Sequence, residues 1–200
     1  MGHALNPDSE DRGDADLSHW IQASALQMDN IAEFQPLAGE ALKRLCAAGL
    51  DFYALSIHLF ESPTTALHYT FAEGEASWLQ QEVTEELAEY KVYADKEAHS
   101  WQTTQSDRDR VVAYLSVPTT MGVATIAAER VDLFAPVDRV LFAEMALALE
   151  TLVVRHRDMV GYQAVNEAYL QVRSRLITGN PDLMALHDGS FDLSGETAEE

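Results

Sequence analysis

Two histidines carry the most pointed chemistry in this chain. His58 lies in FYALSIHLF and His68 in TALHYTFA, with Glu61-Ser62-Pro63-Thr64 between the two runs. Runs so rich in β-branched and aromatic residues read as strands, and the polar, proline-bearing segment between them reads as a turn. A hairpin centred near Ser62–Pro63 without a bulge sets His58 opposite His68, Ile57 opposite Tyr69 and Leu55 opposite Phe71. Opposed strand residues have β-carbons about 5 Å apart, so the two imidazoles can face one ligand. At that separation each also opposes protonation of the other, which makes a pH-sensitive spot. A metal ion would need a third ligand, and no short-spaced ligand motif supplies one; no metal is expected.

Strand alternation sorts the rest of the hairpin. Tyr53, Leu55, Ile57, Leu59, Leu67, Tyr69 and Phe71 form a bulky face that belongs against helices. Phe52, Ala54, Ser56, His58, Phe60, Ala66, His68, Thr70 and Ala72 form a smaller, more polar one. The candidate ligand-binding set follows: Ser56, His58, His68 and Thr70 from this hairpin, with Tyr114 and Ser116, or Thr125, from later strands. Trp101 or Tyr93 would close the space. Apolar walls with a few polar points suit a small molecule. The competing reading, of equal weight, fills that space with the protein's own side chains.

No catalytic signature accompanies these residues. The chain lacks G-x-S-x-G, a phosphate-cradling glycine-rich loop, H-E-x-x-H and C-x-x-C. A non-enzymatic protein is expected. The single Cys46 excludes an intrachain disulfide and reads as a small buried hydrophobe on a helix.

Composition sets the wider limits. Two hundred residues with 47% hydrophobic content suit one domain with extensions. Thirty-three acidic residues against 13 basic ones give a formal charge of −20. Such a field repels nucleic acid and anionic membrane. A solvated surface explains it more simply than an acidic docking face for a basic partner. No apolar run approaches the roughly 18 residues of a membrane span, and the N-terminus lacks a signal pattern, so a cytoplasmic location is expected.

The elements that position the candidate residues read in order. Residues 1–16 are acidic and expected to be disordered. Residues 17–34 form an amphipathic helix, capped by Asp16 or Ser18, with Leu17, Ile21, Ala25, Met28 and Ile31 in its stripe and Trp20 widening it. Residues 35–157 form the domain. It opens with a helix from Leu37 to Ala48, with Leu37, Ala41, Leu42, Leu45 and Cys46 on one side. The first hairpin comes next. Glu75–Tyr90 reads as a helix with Trp78, Leu79, Val83 and Leu87 inward. Lys91–Asp109 holds a short strand and a loop. Strands Val111–Val117 and Met121–Ala128 flank Pro118-Thr119-Thr120, and a helix opens near Ala135-Pro136.

That helix continues as an extension over 158–179, and 180–200 reads as an acidic, flexible tail with at most one turn near Leu183–Leu186. Leu141, Met145, Ala148, Leu152, Arg155, Met159, Tyr162, Asn166, Tyr169, Arg173 and Leu176 fall at alternating spacings of four and three, a heptad seam. Asn166 would fix its register. Arg155, Arg173 and Gly161 make the seam imperfect.

The closing half of the domain resembles the GAF family. The matching pieces are Ser116-Val117-Pro118, Gly122-Val123-Ala124, Phe134-Ala135-Pro136-Val137-Asp138 and the Leu/Ala-rich helix from Leu141 to Leu152. The resemblance implies an α+β fold, a central antiparallel sheet with helices packed on one face, flanked here by N- and C-terminal dimerisation helices. It also implies a sensory or regulatory module that binds a small molecule and signals through a homodimer or to a separate partner. It names no ligand and no cofactor, because the fold hosts many. The sulfoxide-reductase members need several cysteines, and the bilin-binding members commonly a Cys followed by His, whereas Ala47 follows Cys46. The Asn-Lys…Phe…Asp-Glu pattern of cyclic-nucleotide binders is not traceable. The alternative is a structural interaction or dimerisation module without a small-molecule ligand.

Overall fold

The computed structural model describes residues 10–72, 75–84, 86–105 and 110–178. The expectations for residues 1–9 and for the tail at 180–200 lie outside them. The chain divides after Arg157 into two units.

The first unit is built on a six-stranded antiparallel sheet. Its strands are β1 (Ala54–Ser62), β2 (Thr65–Ala72), β3 (Glu75–Glu82), β4 (His99–Gln105), β5 (Arg110–Pro118) and β6 (Gly122–Glu129). Their order across the sheet is β3-β2-β1-β6-β5-β4, so the first and last strands pair at the centre. The expected register of the first hairpin holds: His58 faces His68, Ile57 faces Tyr69 and Leu55 faces Phe71. The turn does contain a bulge, between Phe60 and Ser62, where the Ser62 hydroxyl accepts from the Thr64 and Thr65 amides. One extra residue there leaves the pairing beyond it intact.

Three helices cover the bulky face: α1 (Glu10–Gln27), α2 (Phe34–Ala47) and the first half of α4 (Pro136–Thr178). Leu55, Ile57, Leu59, Tyr69 and Phe71 are fully buried beneath them. Phe34 of α2 packs on Tyr69 and Phe71, and His156 of α4 stacks on Phe34. Tyr53 departs from the expected core set and is about half exposed, because β1 begins only at Ala54.

α1 starts earlier than its expected caps and stops at Gln27, where Asn30 caps a short 3-10 turn over Ile31–Glu33. Its stripe of Leu17, Ile21, Ala25 and Met28 is buried within its own chain. Trp20 lies under the Arg44 guanidinium of α2, and Arg155 of α4 donates twice to the Met28 carbonyl. The buried face of α2 is Phe34, Ala38, Ala41 and Leu45, one step round from the expected face, which leaves Cys46 exposed. Burial still raises the thiol pKa, with Asp51 adding to the effect, so the thiol is not activated.

Glu75–Tyr90 is not the single helix that was expected. Its first half is strand β3, and only α3 (Ala88–Asp95) is helical. Ala72 pairs with Glu75, so only Glu73 and Gly74 connect β2 to β3, and a two-residue X-Gly link is a hairpin signal. β3 is an edge strand, mostly exposed, so its burial has no helical period to show; Trp78 and Leu79 are each about half exposed on opposite faces, with the Trp78 ring against Tyr69 and His156. α3 instead lies on the polar face, with Tyr90 and Tyr93 on Phe60 and Val92 buried.

Candidate functional site

Sheet register decides which candidate residues share a surface. One row crosses all six strands on the polar face: Ser77, Thr70, Ser56, Thr125, Ser116 and His99. The adjacent row runs Leu79, His68, His58, Val123 and Pro118. On the other side of the hydroxyl row lie Ala54, Ala127, Tyr114 and Trp101. All seven candidates, Ser56, His58, His68, Thr70, Trp101, Tyr114 and Ser116, therefore stand on one face.

They do not form one cluster. Neighbouring strands lie about 4.8 Å apart, so His68 on β2 and Trp101 on β4 are separated by roughly 19 Å of sheet. Trp101 stacks on Tyr114 with centroids 5.3 Å apart, as a patch of its own. Ser116 has no exposed surface, and its hydroxyl shares a 2.6 Å hydrogen bond with Thr125. Tyr93 packs on Phe60.

The hairpin end holds the remaining four. The imidazoles of His58 and His68 are stacked, with centroids 4.1 Å apart and planes 14° from parallel. His58 is 3% exposed, whereas His68, Ser56 and Thr70 are half-buried. Thr70 Oγ1 and His68 Nε2 lie 3.2 Å apart. Burial lowers the pKa of His58 to about 4, with Gln81 offsetting part of the effect. Neither His58 Nδ1 nor Gln81 Oε1 completes a hydrogen bond of normal geometry. His68 is also lowered to about 4, first by burial and then by His58, against the Glu89 carboxylate. Both rings are thus neutral near pH 7, and the charged group beside them is Glu89.

Stacked, nearly parallel rings point their nitrogens side by side, not toward a common point, so the pair is badly arranged to chelate. No group of three His, Cys, Asp or Glu among the described residues is placed to hold a metal ion. Gln81 and Glu89 were hidden in the sequence because both fall in the segment read as one helix. The hydrophobic-polar alternation of β1 and β2 located the histidines, and nothing comparable pointed to these two partners.

A cleft of about 920 Å³ opens elsewhere, on the α2 side of the sheet, lined by residues that include Pro36, Leu42, Lys43, Cys46, Phe52 and Phe71. It contains none of the seven candidates. Among the described residues, no helix is long and apolar enough to cross a membrane.

No family model and no curated protein matches the sequence. Solved structures do match. The GAF domain of a phosphoenolpyruvate-protein phosphotransferase from Coxiella burnetii covers 75% of this chain and 98% of its own, at 14% identity and a TM-score of 0.51. A protein described as a GAF sensor, from Burkholderia vietnamiensis, covers 80% and 97%, at 10% identity and a TM-score of 0.45. The Coxiella likeness establishes the fold: this is a GAF-like domain.

Proposed function

We propose that this chain is a non-enzymatic sensory or regulatory module that binds a small molecule on the polar face and passes its occupancy to the helices. The observation that carries the reading is the stacked pair of a buried His58 and a half-buried His68 beside Thr70, Gln81 and Glu89. Neutral imidazoles next to a carboxylate favour an uncharged or cationic ligand over an anion. To change the helices, that ligand must bind one helix arrangement more tightly than another; affinity alone moves nothing. A cytoplasmic setting belongs to the proposal.

A second copy is the proposed partner. The apolar stripe of α1 is spent inside its own chain, so the proposal rests on the C-terminal helix. Between 158 and 176, Tyr162, Val165, Tyr169, Val172 and Leu176 are each 55–75% exposed and spaced alternately by three and four. Such a line has the spacing of a heptad seam.

Thermal shift against nucleotides, amino acids, amines and metal ions tests the ligand. A molecule that binds only the folded state raises the melting temperature, and His68→Ala should remove that rise. A rise that survives the substitution would move the site elsewhere. The second reading, an interaction module without a small-molecule ligand, is favoured by the Val92, Tyr90 and Tyr93 side chains of α3 that already occupy part of the face. Silence across the panel would select it.

A further inference from the structure

The two faces of the sheet are connected at one place by an unbroken run of contacts. On the polar face, Tyr90 and Tyr93 of α3 pack on the Phe60 ring. The Phe60 N–H donates to the Met121 carbonyl at 3.0 Å. The Met121 N–H donates to Glu150 Oε1 at 2.7 Å. Glu150 belongs to α4, on the opposite face, and is 6% exposed. Its carboxylate also accepts from the Thr120 N–H at 3.2 Å and from the Thr119 hydroxyl. The same turn is closed by Thr119 N–H to the Gly122 carbonyl at 2.8 Å.

A buried carboxylate that accepts two amides and a hydroxyl from one turn is a strong, geometrically narrow attachment. The hairpin tip cannot move relative to α4 without giving up charge-assisted bonds in a low-dielectric place. It is held to β1 on its other side by Phe60 and by the pairing of Gly122 with Leu59. Met121 is therefore a rigid spacer between the strand that carries His58 and the helix that carries Glu150.

We propose that Glu150, acting through the Met121 peptide, is the positioning residue that transmits a shift of α3 or β1 to α4. The inference gives the sensory reading its route, but the contacts stand whether or not a ligand exists, and the test uses none.

Hydrogen exchange on the full chain provides the test. Glu150→Gln should speed exchange of the Thr120 and Met121 amides by about tenfold or more, as expected when bonds to a charged acceptor are lost. Tyr93→Ala loosens α3 on Phe60 without touching Glu150. In the wild-type background it should speed exchange at Met121 and in α4 around Glu150; in the Glu150→Gln background the α4 change should vanish. Equal changes in both backgrounds, or no α4 response to Tyr93→Ala in the wild type, would overturn the proposal. If Glu150→Gln does not fold, Thr119→Val removes one donor and should reduce the α4 response part-way; an undiminished response overturns the proposal equally. Failure of the ligand panel with success here would remove the ligand and leave the linkage.

Discussion

Gly122 lies so close to the backbone of His58 that a β-carbon built on it would stand 1.7 Å from the His58 carbonyl oxygen. Backbone cannot retreat from such a clash as a flexible side chain can. Gly122→Ala should therefore destabilise the domain by about 3 kcal/mol or more, in the range of severe overpacking. Urea unfolding measures it. A loss below about 1 kcal/mol would mean that β6 can slide away from β1.

Tyr69 tests the bulky face. It is 1% exposed, packs on Phe34, and hydrogen-bonds His156 Nδ1 on α4 at 3.2 Å. Tyr69→Ala should cost about 3–5 kcal/mol, as large aromatic truncations do. Tyr69→Phe keeps the ring and should cost about 1 kcal/mol, the worth of one hydrogen bond. Equal losses in the two variants would show that the hydroxyl, not the ring, dominates.

The histidine pair predicts a pH dependence with a definite sign. Both folded pKa values are lowered from 6.5 to about 4, so the unfolded chain binds more protons between those limits. The stability they contribute is present above about pH 6.5 and is lost as pH falls toward 4. For the deeply buried His58 the loss is on the order of 3 kcal/mol; half-buried His68 contributes less after solvent screening. His58→Leu should flatten the fall of melting temperature between pH 6.5 and 4.5. An unchanged slope would place the acid sensitivity elsewhere, with His156, whose pKa burial also lowers, as the next suspect.

What was legible in the sequence follows from how local each signal is. The first hairpin was readable because alternation and a polar turn lie within a few residues, and a one-residue slip would part Tyr69 from Leu55 and Ile57. β3 was not, since an exposed edge strand has no buried period, and Trp78 and Leu79 mimic a helical pair. The face of α2 slipped by one position because Ala38 and Cys46 are both small, so volume did not discriminate between them. The partners of the histidines, Gln81 and Glu89, come from segments whose placement depends on long-range pairing. Glu150 has no local signal in the sequence; only the fold brings the Thr119–Met121 turn over it.

The edge of β3 carries its own prediction. The Gln35 side chain donates to the Ala76 carbonyl and accepts from the Ala76 N–H at 2.9 Å, so one amide takes the place of a missing strand. Edge strands with unpaired backbone invite association. Gln35→Leu keeps the size, exposes that pair of backbone groups and should increase aggregation on mild heating, measured by light scattering. Unchanged scattering would mean the edge is protected by other means.

The seam of the C-terminal helix is the last test, and it separates two registers. The expected seam ran through Leu141, Met145, Ala148 and Leu152, then Asn166 and Arg173. In the structure Met145, Ala148 and Leu152 are buried within the first unit, and Arg155 is engaged with Met28, so those positions are not offered to a second chain. From Tyr162 onward the exposed large apolar residues follow Val165 and Val172, not Asn166 and Arg173. Burying a valine is worth about 1.5–3 kcal/mol, so Val165→Asp with Val172→Asp should weaken self-association on the order of a hundredfold or more. Asn166→Asp with Arg173→Glu, flanking the line, should weaken it far less. Sedimentation equilibrium on both double variants reads the difference. Equal effects would restore the register through Asn166, and a wild-type chain that stays monomeric at high concentration would remove the homodimer altogether.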